Sequence, residues 1–284
     1  MVVGGRNAEF DVEIVDLLSD SACNLKPRDI GLRFGSVGAF VENEAAVCEG
    51  FDLTTNACTK YNNQTDEWES SFATNVIRYH AASVPLSSTE WWLIGGYTGT
   101  RWTEATEICS PSIGCSMYVN LPTINYYPQA MKVSDEYVFL LPNSDTQRFL
   151  FDLYSEKFKA MPTLRVKRAQ GVVGTYTTPT GEEEIVVAGG SYVKSSEIFS
   201  IKLGQWREGP DLPVNGDLEG AVSVPYEDTF LVVSGRDYGH TPEHRREIYK
   251  FDPRTESWIT LQQKLSTGRK EFAAFLIPDD LIDC

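Results

Sequence analysis

The sequence predicts an all-β fold, a six-bladed β-propeller of four-stranded blades. Three observations predict it. A hydrophobic, β-forming run stops on small residues again and again: Val2-Val3-Gly4-Gly5, Ala46-Val47-Cys48-Glu49-Gly50, Trp91-Trp92-Leu93-Ile94-Gly95-Gly96, Ile185-Val186-Val187-Ala188-Gly189-Gly190 and Leu231-Val232-Val233-Ser234-Gly235, with a degenerate copy at Phe139-Leu140-Leu141-Pro142-Asn143. Such a run reads as a buried strand whose end must admit a close backbone neighbour. The second small position falls at 5, 50, 96, 143, 190 and 235, in steps of 45, 46, 47, 47 and 45. A period in the forties without a long helical pattern inside it is the signature of a propeller.

Each unit carries four short strands, a to d, with the small residues closing strand b. Strand b begins near residues 1, 45, 91, 137, 184 and 229. A polar loop follows, and strand c often opens on Glu: Glu13, Glu107, Glu197 and Glu247. Turns such as Asn62-Asn63-Gln64-Thr65 and Asp252-Pro253-Arg254-Thr255 have hairpin chemistry. A bulky residue then opens strand d: Trp68, Phe158, Trp206 and Trp258, with weaker stand-ins at Leu25 and Met117-Tyr118. A Pro-containing loop leads to the small-residue strand a of the next unit, as in His80-Ala81-Ala82-Ser83-Val84. The chain starts on a b strand and ends on an a strand. Residues 271–277 are therefore expected to complete the first blade and close the ring, which removes an exposed edge. All 284 residues form one domain, a length that can bury a large core.

The Gly-Gly pair, the aromatic on strand c and the Trp on strand d resemble the kelch repeat, over essentially the whole chain. Blade 4 departs from it at Pro142-Asn143, and blade 1 has no Trp. In proteins of this kind the b–c and d–a loops bind peptide segments of partners. The resemblance thus implies a peptide or protein ligand, here an acidic or tyrosine-containing segment.

The six cysteines fall into pairs. Cys48 and Cys58 flank the b–c loop of blade 2, and Cys109 and Cys115 flank a turn of blade 3. Cys23 lies on the outer strand of blade 1, and Cys284 ends a tail that leaves the inner strand. Seven residues span three inter-strand gaps, so a Cys23–Cys284 bond would staple the closing strand. Together with the sequon at Asn63-Gln64-Thr65, this pattern points to a secreted, glycosylated protein. Met1 leads straight into a strand without a signal-peptide pattern, and a cytoplasmic location is the alternative.

Strand alternation sorts the charges. The a–b and c–d loops share one rim with the C-terminal tail, where 21 acids face three bases, Lys157, Lys202 and Arg254. The other rim holds 17 bases and 14 acids. The net charge of -15 opposes nucleic-acid or anionic-membrane binding. No apolar run reaches the roughly 18 residues of a membrane span.

The b–c/d–a rim carries the longer loops, where function usually lies. It also carries Arg and aromatic residues suited to interfaces. The candidate partner-binding residues are Arg28, Arg33, Arg78, Arg101, Trp102, Tyr127, Arg165, Arg168, Tyr192, Arg236, Tyr238 and Arg269. Only three histidines are present: His80, His240 and His244. His80 occupies a slot that reads as Gln170, Glu219 and Phe272 in other units, so a structural role is expected. No phosphate loop, Cys-x-x-Cys pair or nucleophile elbow appears. The expectation is a monomeric, non-enzymatic binding module without metal or cofactor. The alternatives are a substrate-recognition domain of a ubiquitin ligase adaptor, or an enzyme similar to galactose oxidase. The copper oxidases built on a similar propeller use a Tyr/His/Cys set with more histidines than this chain offers.

Overall fold

The computed structural model describes residues 1–19, 22–26, 34–48, 50–51, 55–124, 126–142, 147–239, 241–278 and 281. Among these, six four-stranded antiparallel sheets form the blades. Blade 1 joins the two ends of the chain: Ala273–Ala274 as strand a, then Val2–Val3, Val12–Val15 and Ala22–Leu25. Blade 2 is Val37–Val41, Glu44–Cys48, Ala57–Asn62 and Glu67–Ala73; blade 3 is Ala82–Pro85, Trp91–Ile94, Thr106–Ser110 and Gly114–Met117. Blade 4 is Gln129–Lys132, Tyr137–Leu141, Arg148–Asp152 and Lys157–Met161. Blade 5 is Val172–Thr177, Glu183–Ala188, Ser196–Ser200 and Gln205–Gly209; blade 6 is Val222–Tyr226, Thr229–Val233, Glu247–Asp252 and Ser257–Lys264. The a strands of neighbouring blades touch one another, so they line the central axis.

The C-terminal part of each b strand is apolar because both of its faces are buried. Trp91 and Leu93 pack on blade 2, whereas Trp92 and Ile94 pack on blade 4. The period-two alternation of a strand puts consecutive residues on opposite faces. Repeated round the ring, it builds an apolar core between each pair of adjacent blades among the described residues.

The bulky residue near the start of strand d lies directly opposite an aromatic of strand c. The pairs are Tyr61–Trp68, Phe151–Phe158, Phe199–Trp206 and Phe251–Trp258. Their ring centroids lie 4.6–5.6 Å apart. Cross-strand aromatic pairs of this kind stabilise a sheet by about 0.2–1 kcal/mol each.

The ring closes as the sequence predicts, over a shorter pairing. Val2 pairs with Ala274 and Val3 with Ala273. The Met1 ammonium donates to the Phe275 carbonyl at 2.8 Å, and Arg6 bridges Lys270. Two disulfides cross between paired strands: Cys48–Cys58 and Cys109–Cys115, each with Cα atoms 4.1 Å apart. Cys23 is also disulfide-bonded. Its expected partner Cys284 lies outside the described residues, as does His240.

Candidate binding face at the channel mouth

Three d–a loops are held by the same staple. Arg78, Arg168 and Arg269 each sit four residues before a strand a, and their side chains are fully buried. Each pairs with the Glu of strand c in its own blade: Arg78 with Glu107, Arg168 with Glu197 at 3.4 Å, and Arg269 with Glu13 at 3.0 Å. Each guanidinium also donates to the carbonyl of the first glycine of the pair, namely Gly95, Gly189 or Gly4, at 3.1–3.2 Å. The carboxylate in turn accepts the backbone N–H three residues before the arginine: Asn75, Arg165 or Ser266. One buried ion pair thereby fixes the loop, the glycine turn and strand c together.

Above these staples lies a collar. The residue two before each strand a is Gly35, His80, Tyr127, Gln170, Gly220 or Glu271, and all six have left-handed φ, from 45° to 72°. Backbone N–H groups link neighbouring members: His80 to the Gly35 carbonyl, Gly35 to Glu271, Glu271 to Gly220, and Gly220 to Gln170, at 2.7–3.2 Å. Glycine adopts this conformation at no steric cost, whereas other residues pay about 1–2 kcal/mol. Four blades nevertheless place a side chain there. Those side chains, His80, Tyr127, Gln170 and Glu271, line a cavity of about 110 Å³ at the mouth of the axial channel. Strain of this kind gathers at functional sites.

The face around the mouth has two sectors. Over blades 2 to 4 the rings form a continuous arc: Phe34–Tyr79 at 6.3 Å, Tyr79–Tyr97 at 5.5 Å, Tyr97–Trp102 at 5.1 Å and Trp102–Tyr126 at 5.2 Å. Tyr127 joins it to the collar, 4.9 Å from Trp102 and 4.5 Å from His80.

Over blades 5, 6 and 1 the sector is polar. Glu219 bonds Lys270 and accepts from Ser191 Oγ at 2.6 Å. Glu271 accepts from Arg6 at 2.5 Å and approaches His80 Nε2 at 3.8 Å. Here too, Tyr192 stacks on Tyr238 at 5.4 Å. Buried Asp217 accepts both tyrosine backbone N–H groups, at 2.7 and 2.8 Å. Arg236 lies 4.0 Å over the Tyr238 ring and pairs with Glu243. Tyr192 is 81% exposed, with φ 63°.

The sequence-predicted residues therefore separate into groups. Trp102, Tyr127, Tyr192, Arg236 and Tyr238 come together on this face. Arg101 and Arg165 are exposed nearby, Arg165 pairing with Glu208 at 3.2 Å. Arg78, Arg168 and Arg269 do not offer their charge to a partner, because they are spent on the buried staples. Arg28 and Arg33 lie outside the described residues. The slot of His80 is also corrected: its counterparts are Gln170, Gly220 and Glu271, one residue away from Glu219 and Phe272 in the last two units. Asn63 is exposed in a c–d turn, on the opposite rim. That rim is less acidic than its loops alone suggest. Lys60, Lys132, Lys250 and Arg207 reach it from the strands and pair with Glu44, Asp135, Glu227 and Glu184.

No family model matches the chain, and no curated protein matches it.

Burial pushes the His80 imidazole down to about 4, against the opposing pull of Glu271, so it is neutral at pH 7. Burial likewise raises the Tyr127 phenol. Burial disfavours ionised Glu219, but its bonds to Lys270 and Ser191 outweigh this and hold the carboxyl below its usual range. At neutral pH the mouth presents a neutral imidazole, a phenol, an amide and charges already paired, beside a wall of rings. These groups suit hydrogen bonding and apolar contact.

Proposed function

We propose that this chain is a kelch-type propeller acting as a non-enzymatic binding module. It takes an extended segment of a partner protein across the channel-mouth face. The aromatic arc beside the collar is the observation that carries this reading. Tyr and Trp supply large contact area at low entropic cost and dominate binding energy in interfaces. The strand c/d aromatic pairs and the glycine-ended b strands support the kelch assignment. Because the basic side chains named above are mostly paired, the partner segment is chosen by its apolar and aromatic groups more than by its acidity. The two disulfides support an oxidising, extracellular setting.

The test is selection of binding peptides from a displayed random library on the folded protein. Tyr97→Ala with Trp102→Ala should weaken the selected peptides at least tenfold, since hot-spot aromatics are worth about 2 kcal/mol or more. Tyr154→Ala, exposed on the other rim, should leave affinity unchanged. Equal loss from both rims, or none from either, would refute the assignment.

A further inference from the structure

A second cavity opens at the other end of the axis, among the a–b turns. Its volume is about 700 Å³, inside the roughly 300–1,000 Å³ range of small-molecule sites. Phe40, Val84, Met131, Val224, Phe275 and Leu276 make most of its wall apolar. Gly38, Ser83, Ala130, Ser223 and Ala274 line both this vestibule and the mouth cavity. The vestibule therefore ends inward at a neck of small side chains.

The polar side chains of the lining decide what the ligand carries. Lys132 and Asp135 are its charged members, and they cancel: the ammonium bonds the Asp135 carboxylate at 2.7 Å and the Leu86 carbonyl at 2.8 Å. Ser83 Oγ donates to the Gly38 carbonyl at 2.9 Å, and Ser134 Oγ accepts the Glu136 N–H at 3.2 Å. Ser223 is the one polar lining side chain with no protein partner among the described residues. It stands at the neck, the inner end of the apolar space. An ionic group drawn in that far gives up its hydration and meets no free countercharge. A hydroxyl or carbonyl gives up less and can bond the Ser223 hydroxyl.

We propose that the vestibule binds an uncharged, apolar small molecule with one hydroxyl or carbonyl end. The apolar body lies against the wall and the polar end points inward to Ser223. This site is separate from the partner face and stands without it.

Isothermal titration calorimetry tests this with 1-alkanols from hexanol to nonanol, against alkylammonium and alkanoate ions of the same lengths at pH 7, each below its micelle concentration. Each added methylene should tighten alkanol binding about fourfold until the vestibule is full. Both ions should bind at least about tenfold more weakly than the matching alkanol. Ala130→Phe, which fills the inner end, should abolish the chain-length dependence. Ser223→Ala should weaken the alkanols about fivefold, the worth of one hydrogen bond. Should Ala130→Phe fail to fold by circular dichroism, Ser223→Ala removes only a hydroxyl and decides alone. Flat chain-length dependence, either ion binding as tightly as its alkanol, or unchanged alkanol affinity in a folded variant would each overturn the proposal.

Discussion

Arg78 and Glu107 form the most informative pair in the molecule. Both side chains are fully buried, and the guanidinium also holds the Gly95 and Ala105 carbonyls. Removing one partner strands the other charge in a low-dielectric interior. Arg78→Ala should therefore cost about 3–5 kcal/mol in urea unfolding, and Arg168→Ala and Arg269→Ala should cost similar amounts. Arg101→Ala, on the surface, should change stability by less than about 0.5 kcal/mol. The sequence displays both halves of this staple but not their union. The pairs lie 29 residues apart in two blades and 256 apart across the ring closure, and no local pattern joins them. An arginine in a loop reads as surface until its carboxylate is located.

His80 gives a prediction in pH. Its folded value of about 4 lies below the unfolded value of 6.5. Between these, the unfolded chain binds the extra proton, so stability falls as pH drops from 6.5 towards 4, by at most about 3 kcal/mol. His80→Gln, which copies Gln170 at the equivalent position, should remove that part of the slope. The check is the difference between the two unfolding curves across this window, since other carboxylates titrate in both proteins.

Strand ends show why small residues recur. A Cβ on Gly190 would stand 2.8 Å from the Ala169 carbonyl oxygen, at φ 115°. Gly204, in a c–d turn with φ 66°, has open space around it. Gly190→Ala should lower stability by more than about 2 kcal/mol, whereas Gly204→Ala should cost about 1 kcal/mol, measured by thermal unfolding. The b strands were legible because two buried faces leave an unbroken apolar run, and the glycines because a backbone neighbour excludes side chains. The collar was legible only in part. Leu218-Glu219-Gly220-Ala221 invites a polar residue into the His80 slot, yet the left-handed φ belongs to Gly220. Registers shift by one where the deciding property is a backbone angle and not a side-chain type.

The whole wheel depends on its seam. Strand a of blade 1 comes from the far end of the chain and is held by two residue pairs, the Met1–Phe275 bond and the apolar contacts of Phe272, Ala273 and Phe275. Deletion of residues 271–277 should expose the edge of Val2–Val3 and give an aggregating product. An unchanged melting temperature in that variant would contradict the closure argument. Sixfold architecture was legible because the period survives in sequence. The division of the mouth into a ring-lined sector and an ion-paired sector was not, because it arises from loops of different blades meeting round an axis. The proposed partner binding rests on that division. The measurement that tests it most directly is hydrogen–deuterium exchange with and without a library-selected peptide. The account predicts protection in residues 97–103, 190–193 and 236–239, with none in the turns at 62–66, 153–156 and 201–204. Protection confined to those turns would contradict it.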